Sequence, residues 1–108
     1  MNEPYSKSEK RQLRELAAEA HENELTEALE ELFEEFTKWA DNAFGAFELN
    51  EKIHEFHNGI SRELYTRYVL NEPRFAVAIG LSRKALSRNQ VEPELLKKLQ
   101  PLLEAFEE

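Results

Sequence analysis

The segment 8–40, SEKRQLRELAAEAHENELTEALEELFEEFTKWA, decides how this chain folds. Its apolar residues are Leu13, Leu16, Ala17 and Ala20, then Leu25, Ala28, Leu29, Leu32, Phe33, Phe36, Trp39 and Ala40. From Leu25 onward they recur at steps of three and one, the period of one helix face. A continuous helix over 8–40 would be about 50 Å long at ~1.5 Å per residue. A compact domain of this size has a radius of gyration of about 13 Å, so it is roughly 34 Å across. The helix must overhang its own domain. At about 100° per residue, Leu13, Leu16 and Ala20 point near one direction, and the set from Leu25 to Ala40 points about 120° away. Glu22, Asn23 and Glu24 interrupt the two sets. A bend near 21–24 would reconcile them, but no Pro or Gly is present to force one. The favoured reading is a straight helix whose second half is the core stripe. Its first half then offers Leu13, Leu16 and Ala20 to another chain.

The rest of the chain is punctuated more often. Asp41 to Gly45 reads as a stop and turn, with Gly45 the natural left-handed residue. Leu49, Ile53, Phe56, Ile60, Leu64 and Tyr68 then step by four, three, four, four and four through Asn58-Gly59. A glycine inside a long helix costs about 1 kcal/mol. Asn58-Gly59 followed by Ser61 instead offers a stop and a new cap, so a break is expected there. Asn71 caps the next helix with Pro73 in its first turn, and Gly80 reads as its stop. Val91 and Pro93 lead into a short helix carrying Leu95, Leu96 and Leu99, which Pro101 closes by excluding Gln100 from the helical region. The expectation is an all-α fold: a long N-terminal helix (about 8–40) packed by four to five shorter ones at about 47–58, 61–70, 72–80, 82–89 and 93–99. It forms one domain over 1–108, with 1–7 frayed.

Composition bounds the function. The chain is 41% hydrophobic and 33% charged, enough apolar content for one core under a soluble surface. No apolar run approaches the ~18 residues a transmembrane helix needs. The first ten residues lack the apolar segment of a secretory signal, so a cytoplasmic location and no membrane partner are expected. Without cysteine there is no thiolate nucleophile and no Cys-based metal site. The net charge of −8 disfavours non-specific attraction to phosphate backbones. That charge is uneven. Residues 1–57 carry 15 acids and 6 bases, residues 58–91 carry 2 acids and 6 bases, and residues 92–108 carry 5 acids and 2 bases. A basic centre between acidic flanks attracts either its own helices or an anionic partner.

Little in the sequence carries chemistry. Glu51, His54 and His57 sit at helical spacing, but the zinc-protease pattern needs histidines four apart and a di-metal bundle needs a second Glu-x-x-His. They remain weak candidates, and no metal or cofactor is expected. No Gly-x-Ser-x-Gly turn or Gly-rich phosphate loop exists, so the chain does not read as an enzyme. In segment 72–91, Ala76 and Gly80 lie four apart, Leu81-Ser82 follows, and Leu86 comes six beyond the glycine. With Phe75 and Ile79, this resembles the helix-turn-helix pattern of bacterial DNA-binding proteins. The resemblance implies a second helix presenting Arg83, Lys84, Ser87 and Arg88 to phosphates and guanine edges. Asn89 departs from it, standing where that family has an apolar residue. Arg62 and Tyr65 lie off the Ile60–Leu64–Tyr68 face and have the chemistry of interface anchors. The leading expectation is an acidic interaction or regulatory protein. It forms a homodimer through Leu13, Leu16 and Ala20, with Arg62 and Tyr65 turned outward to an unknown protein partner. DNA binding through segment 72–91 is the alternative.

Overall fold

Ser6 starts the first helix. Its hydroxyl accepts the amide of Glu9 at 3.1 Å, and the Glu9 carboxylate accepts the amide of Ser6 at 2.8 Å. This reciprocal pair satisfies two of the donors that a helix start leaves without partners. The computed structural model describes residues 4–107. Of the residues expected to fray, 1–3 lie outside the described ones, Tyr5 packs against the core and Lys7 is already helical. Helix α1 then runs unbroken from Lys7 to Ala40, 34 residues, or about 51 Å. No break occurs at 21–24. The molecule is correspondingly long, 57 × 27 × 26 Å with a radius of gyration of 17.4 Å.

Among the described residues the fold is all-helical, with no strand. α1 ends at Asp41, whose amide reaches the Thr37 carbonyl at 3.0 Å. The left-handed residue of the turn is Asn42, at φ 64°, not Gly45. Asn tolerates that region, and Gly45 instead stands extended at the N-cap of α2 (Ala46–Phe56). The break expected at Asn58-Gly59 is absent. A π-helical turn (His57–Ser61) carries the chain straight into α3 (Arg62–Tyr68), and Ser61 is helical without capping anything.

The face explains that turn. Tyr68 lies nineteen residues after Leu49. At about 100° per residue a plain α-helix would rotate it roughly 100° off the Leu49 direction. A π turn adds one residue to the ladder and removes about that rotation. Leu49, Leu64 and Tyr68 are therefore all buried on one rod that lies along α1.

Helix α4 (Pro73–Ser82) follows, with Pro73 at its first position, where the missing N–H costs nothing. Its N-cap is Glu72, while Asn71 only accepts the Glu72 amide at 3.1 Å. Gly80 does not stop this helix. It is buried inside it, and a Cβ there would lie 3.0 Å from the Cβ of Ala20 and 3.2 Å from Leu86. The missing side chain is what lets α4 sit close on α1. The helix ends two residues later, with Lys84 left-handed at φ 65°.

The helix expected at 82–89 is not formed. Residues 83–87 turn, and a single 3-10 turn (Arg88–Gln90) caps itself through Ser87. Helix α5 (Pro93–Glu107) is longer than expected, since Pro101 lies inside it. Pro101 is exposed, so the carbonyl it leaves without a donor can meet water. Leu95, Leu99 and Leu103, fully buried at steps of four, hold both sides of it in line.

Two regions result. In the body, Leu13, Leu16, Ala17 and Ala20 of α1 meet Leu64 and Tyr68 of α3, Ala76, Val77 and Leu81 of α4, and the leucines of α5. Each buried leucine stabilises by about 1.5–3 kcal/mol relative to exposure. Beyond it projects an arm made of the second half of α1 and the antiparallel α2. Its buried apolar residues, among the described ones, are Ala28 and Leu49.

Candidate interaction surface

The structure places Leu13, Leu16 and Ala20 at 3%, 8% and 0% exposure, inside the chain's own core. Their direction differs from that of the later stripe because different helices of the same chain cover the two halves of α1. The first face is filled by α3, α4 and α5, so these three residues are not available to a second copy.

The exposed apolar residues lie at the other end. Leu29, Phe33, Phe36 and Trp39 are 47%, 69%, 37% and 41% exposed, and Phe47 near the arm's tip is 94% exposed. A groove lined by Ala28, Glu31, Leu32 and Glu35 of α1 and by Lys52, Glu55 and Phe56 of α2 marks one flank of the arm. On α1, Leu29 and Phe33 lie roughly 100–160° around from that lining, so they occupy the opposite flank. One neighbouring helix covers only part of an apolar arc that spans about 120° of α1, and this flank is what α2 leaves open.

Of the outward anchors, Tyr65 is half-exposed and Arg62 exposed, three residues apart on α3. The basic residues fare otherwise. Arg83 donates from Nε to Glu24 at 2.9 Å, and Arg88 lies 2.8 Å from Glu107. Ser87 caps the 3-10 turn, and Lys84 occupies the left-handed position. They stand on a turn and not along one helix, so the recognition helix implied by the helix-turn-helix resemblance is missing.

Glu24 is the centre of the polar structure at the junction of arm and body. Its carboxylate accepts from Arg67 Nη1 at 3.1 Å, from Arg83 and from the Tyr68 hydroxyl. Burial, the largest single influence, opposes its ionisation, but the donors from Arg83 and Tyr68 outweigh it and hold the carboxyl below its usual range. Burial, and then the bond to Glu24, push the Tyr68 hydroxyl well above its ordinary value. His21 stacks on Tyr68 with ring centres 5.8 Å apart. Every member has a partner, and among the described residues no buried side-chain nitrogen or oxygen lacks one. The cluster is a clasp between helices. At the start of α1 the Lys98 ammonium, 2.7 Å from Glu9, ties α5 down in the same way and, with Ser6, holds the Glu9 carboxyl low.

His54 and His57 are exposed, and Glu51 with them. Among the described residues no three carboxylate or imidazole groups gather as a metal would require. No described helix is long and apolar enough to cross a membrane. Comparison of the chain with family models, curated proteins and solved structures finds no match.

Proposed function

We propose that this chain is an interaction protein and that the open flank of its arm is where another polypeptide docks. The observation that carries this reading is the Leu29–Phe33–Phe36 stripe on α1, in a two-helix arm with almost no core of its own. Large apolar side chains bury about 150–250 Å² each, so the exposed parts of these three residues sum to roughly 300 Å². That is the size of the largest apolar patch on an ordinary soluble monomer, a patch that often carries function, and here glutamates border it. Helix-in-groove recognition uses apolar anchors at this spacing. The body supplies rigidity. Glu24, Arg67 and Arg83 fix the arm's root, so the stripe is presented without an ordering cost.

The test is the size of the endogenous protein in an extract of its host. The 12.7 kDa chain is expected to elute in a larger assembly. Phe33→Ser with Phe36→Ser should return it to the size of a monomer while leaving its circular dichroism unchanged. Elution of wild type and variant at one identical position would defeat the reading.

A further inference from the structure

Resting on that docking reading, we infer the chemistry of the occupant: a basic amphipathic helix from another protein, laid along the arm. Two observations choose it. The first is spacing. Leu29, Phe33, Phe36 and Ala40 follow at four, three and four, the seam one helix offers to another lying alongside it.

The second is charge. Residues 22–57, which build the arm, carry 11 acids and 2 bases, net −9, while the remainder of the chain carries 11 acids and 12 bases, net +1. The arm therefore carries the whole of the protein's net negative charge. Its two bases, Lys38 and Lys52, both lie on one carboxylate, Glu35, at 3.2 and 3.3 Å. Glu22, Glu27, Glu30, Glu31 and Glu34 are exposed along α1, and no ion pair joins them to any base among the described residues.

A second copy of the chain would bring its own acidic arm against this one, with like charges opposed over the length of the contact. Phosphate backbones and anionic lipid surfaces meet the same repulsion. A helix with apolar residues at three and four apart and Lys or Arg on the border that faces Glu30 and Glu34 satisfies the stripe and its rim together. The long basic stems also cover apolar surface beside the rings.

Trp39 supplies the readout, being the single tryptophan of the chain and three residues beyond Phe36. The probes are two designed peptides of about 18 residues with the same leucine face, enough for a helix of several turns. One is bordered by lysines and the other by glutamates. The lysine peptide is expected to shift Trp39 emission to the blue with saturation, and the glutamate peptide to leave it unchanged. Affinity for the lysine peptide should fall as salt rises. Phe33→Ser with Phe36→Ser should weaken that binding about tenfold or more, a loss of about 1.4 kcal/mol or more.

Equal binding of the lysine peptide by wild type and double variant would make the attraction charge alone and overturn the inference. Binding of neither peptide by a protein that light scattering shows to be a dimer, dissociated by the two serines, would assign the flank to a second copy. That result overturns the basic helix and leaves the docking reading standing. Binding of neither peptide by a monomer overturns the basic helix as well, and the docking reading is then decided separately by the stripe-dependent assembly in host extract.

Discussion

The two halves of α1 carry apolar residues at equally good helical spacing, yet one half is buried by three helices and the other by part of one. Leu13 and Ala20 reach 3% and 0% exposure, whereas Phe33 keeps 69%. The difference does not lie in the half itself. It lies in what the rest of the chain brings alongside. Residues after Tyr68 fold back toward the start of α1, so α4 and α5 thicken only that end, and α2 alone accompanies the other. An amphipathic face states that something must cover it. It does not state whether the cover belongs to the same molecule.

That contrast can be broken or sharpened by substitution. The largest effect belongs to the body. Leu13→Ala is expected to cost about 2–5 kcal/mol, as for other buried leucines. The midpoint of its denaturant curve should fall without depending on protein concentration, because the residue packs within one chain. A concentration-dependent midpoint for this variant would place Leu13 in an interface after all.

Next comes the clasp at the junction. Glu24→Gln removes the charge that Arg67, Arg83 and Tyr68 share, at a cost of about 1–3 kcal/mol near neutral pH. The folded carboxyl sits below its ordinary range, so its contribution is complete above the unfolded value and is lost as pH falls through the folded one. The stability gap between wild type and Glu24→Gln should therefore narrow as pH is lowered below about 4.3, the ordinary glutamate value. A gap independent of pH between 3 and 7 would show that Glu24 does not act through its charge.

Gly59→Ala should act in the opposite direction. Gly59 is helical with no positive φ, and a Cβ there meets nothing within 4 Å. Alanine should raise stability by about 0.4–1 kcal/mol by restricting the unfolded chain. Destabilisation would mean that Asn58-Gly59 interrupts the helix. The smallest effect belongs to the arm's open flank. Phe33→Ser is expected to change stability by no more than about 0.5 kcal/mol in the isolated protein, as for an exposed site. Thermal melts of Leu13→Ala and Phe33→Ser side by side give the comparison directly.

The all-helical architecture and the long first helix were legible in the sequence, because sustained three-and-four spacing without Pro or Gly has one physical solution. Which half of that helix is buried was not, since this depends on where a chain of later helices returns. The same ignorance put Leu13, Leu16 and Ala20 at an interface and made the stripe ending at Trp39 a core. The π turn leaves a trace in the sequence. Three successive steps of four, from Phe56 to Tyr68, drift a plain α-helical face by about 120°, too far to stay on one neighbour without an added residue. Gly80 misled because a buried glycine that permits close packing and a glycine that ends a helix look alike in sequence. Pro101 misled because its helix is held from the buried side by leucines whose covering partners lie far away in the chain. The clasp at Glu24 was also invisible, as its partners Arg67 and Arg83 lie 43 and 59 residues along.

The π turn also sets how this chain tolerates changes of length. Removing any one residue between His57 and Ser61 would leave an uninterrupted α-helix, locally the more comfortable conformation. Leu49 and Tyr68 would then stand eighteen residues apart, five whole turns at about 100° per residue, so the face of the rod would be kept. Leu64 and Tyr68 would stay on α1, Arg67 would keep Glu24, and α4 would leave in its present direction. One residue of this turn is therefore a spare: the rod can lose it without changing its angle, whereas one more residue added to the plain helix on either side would turn everything beyond it by about 100°.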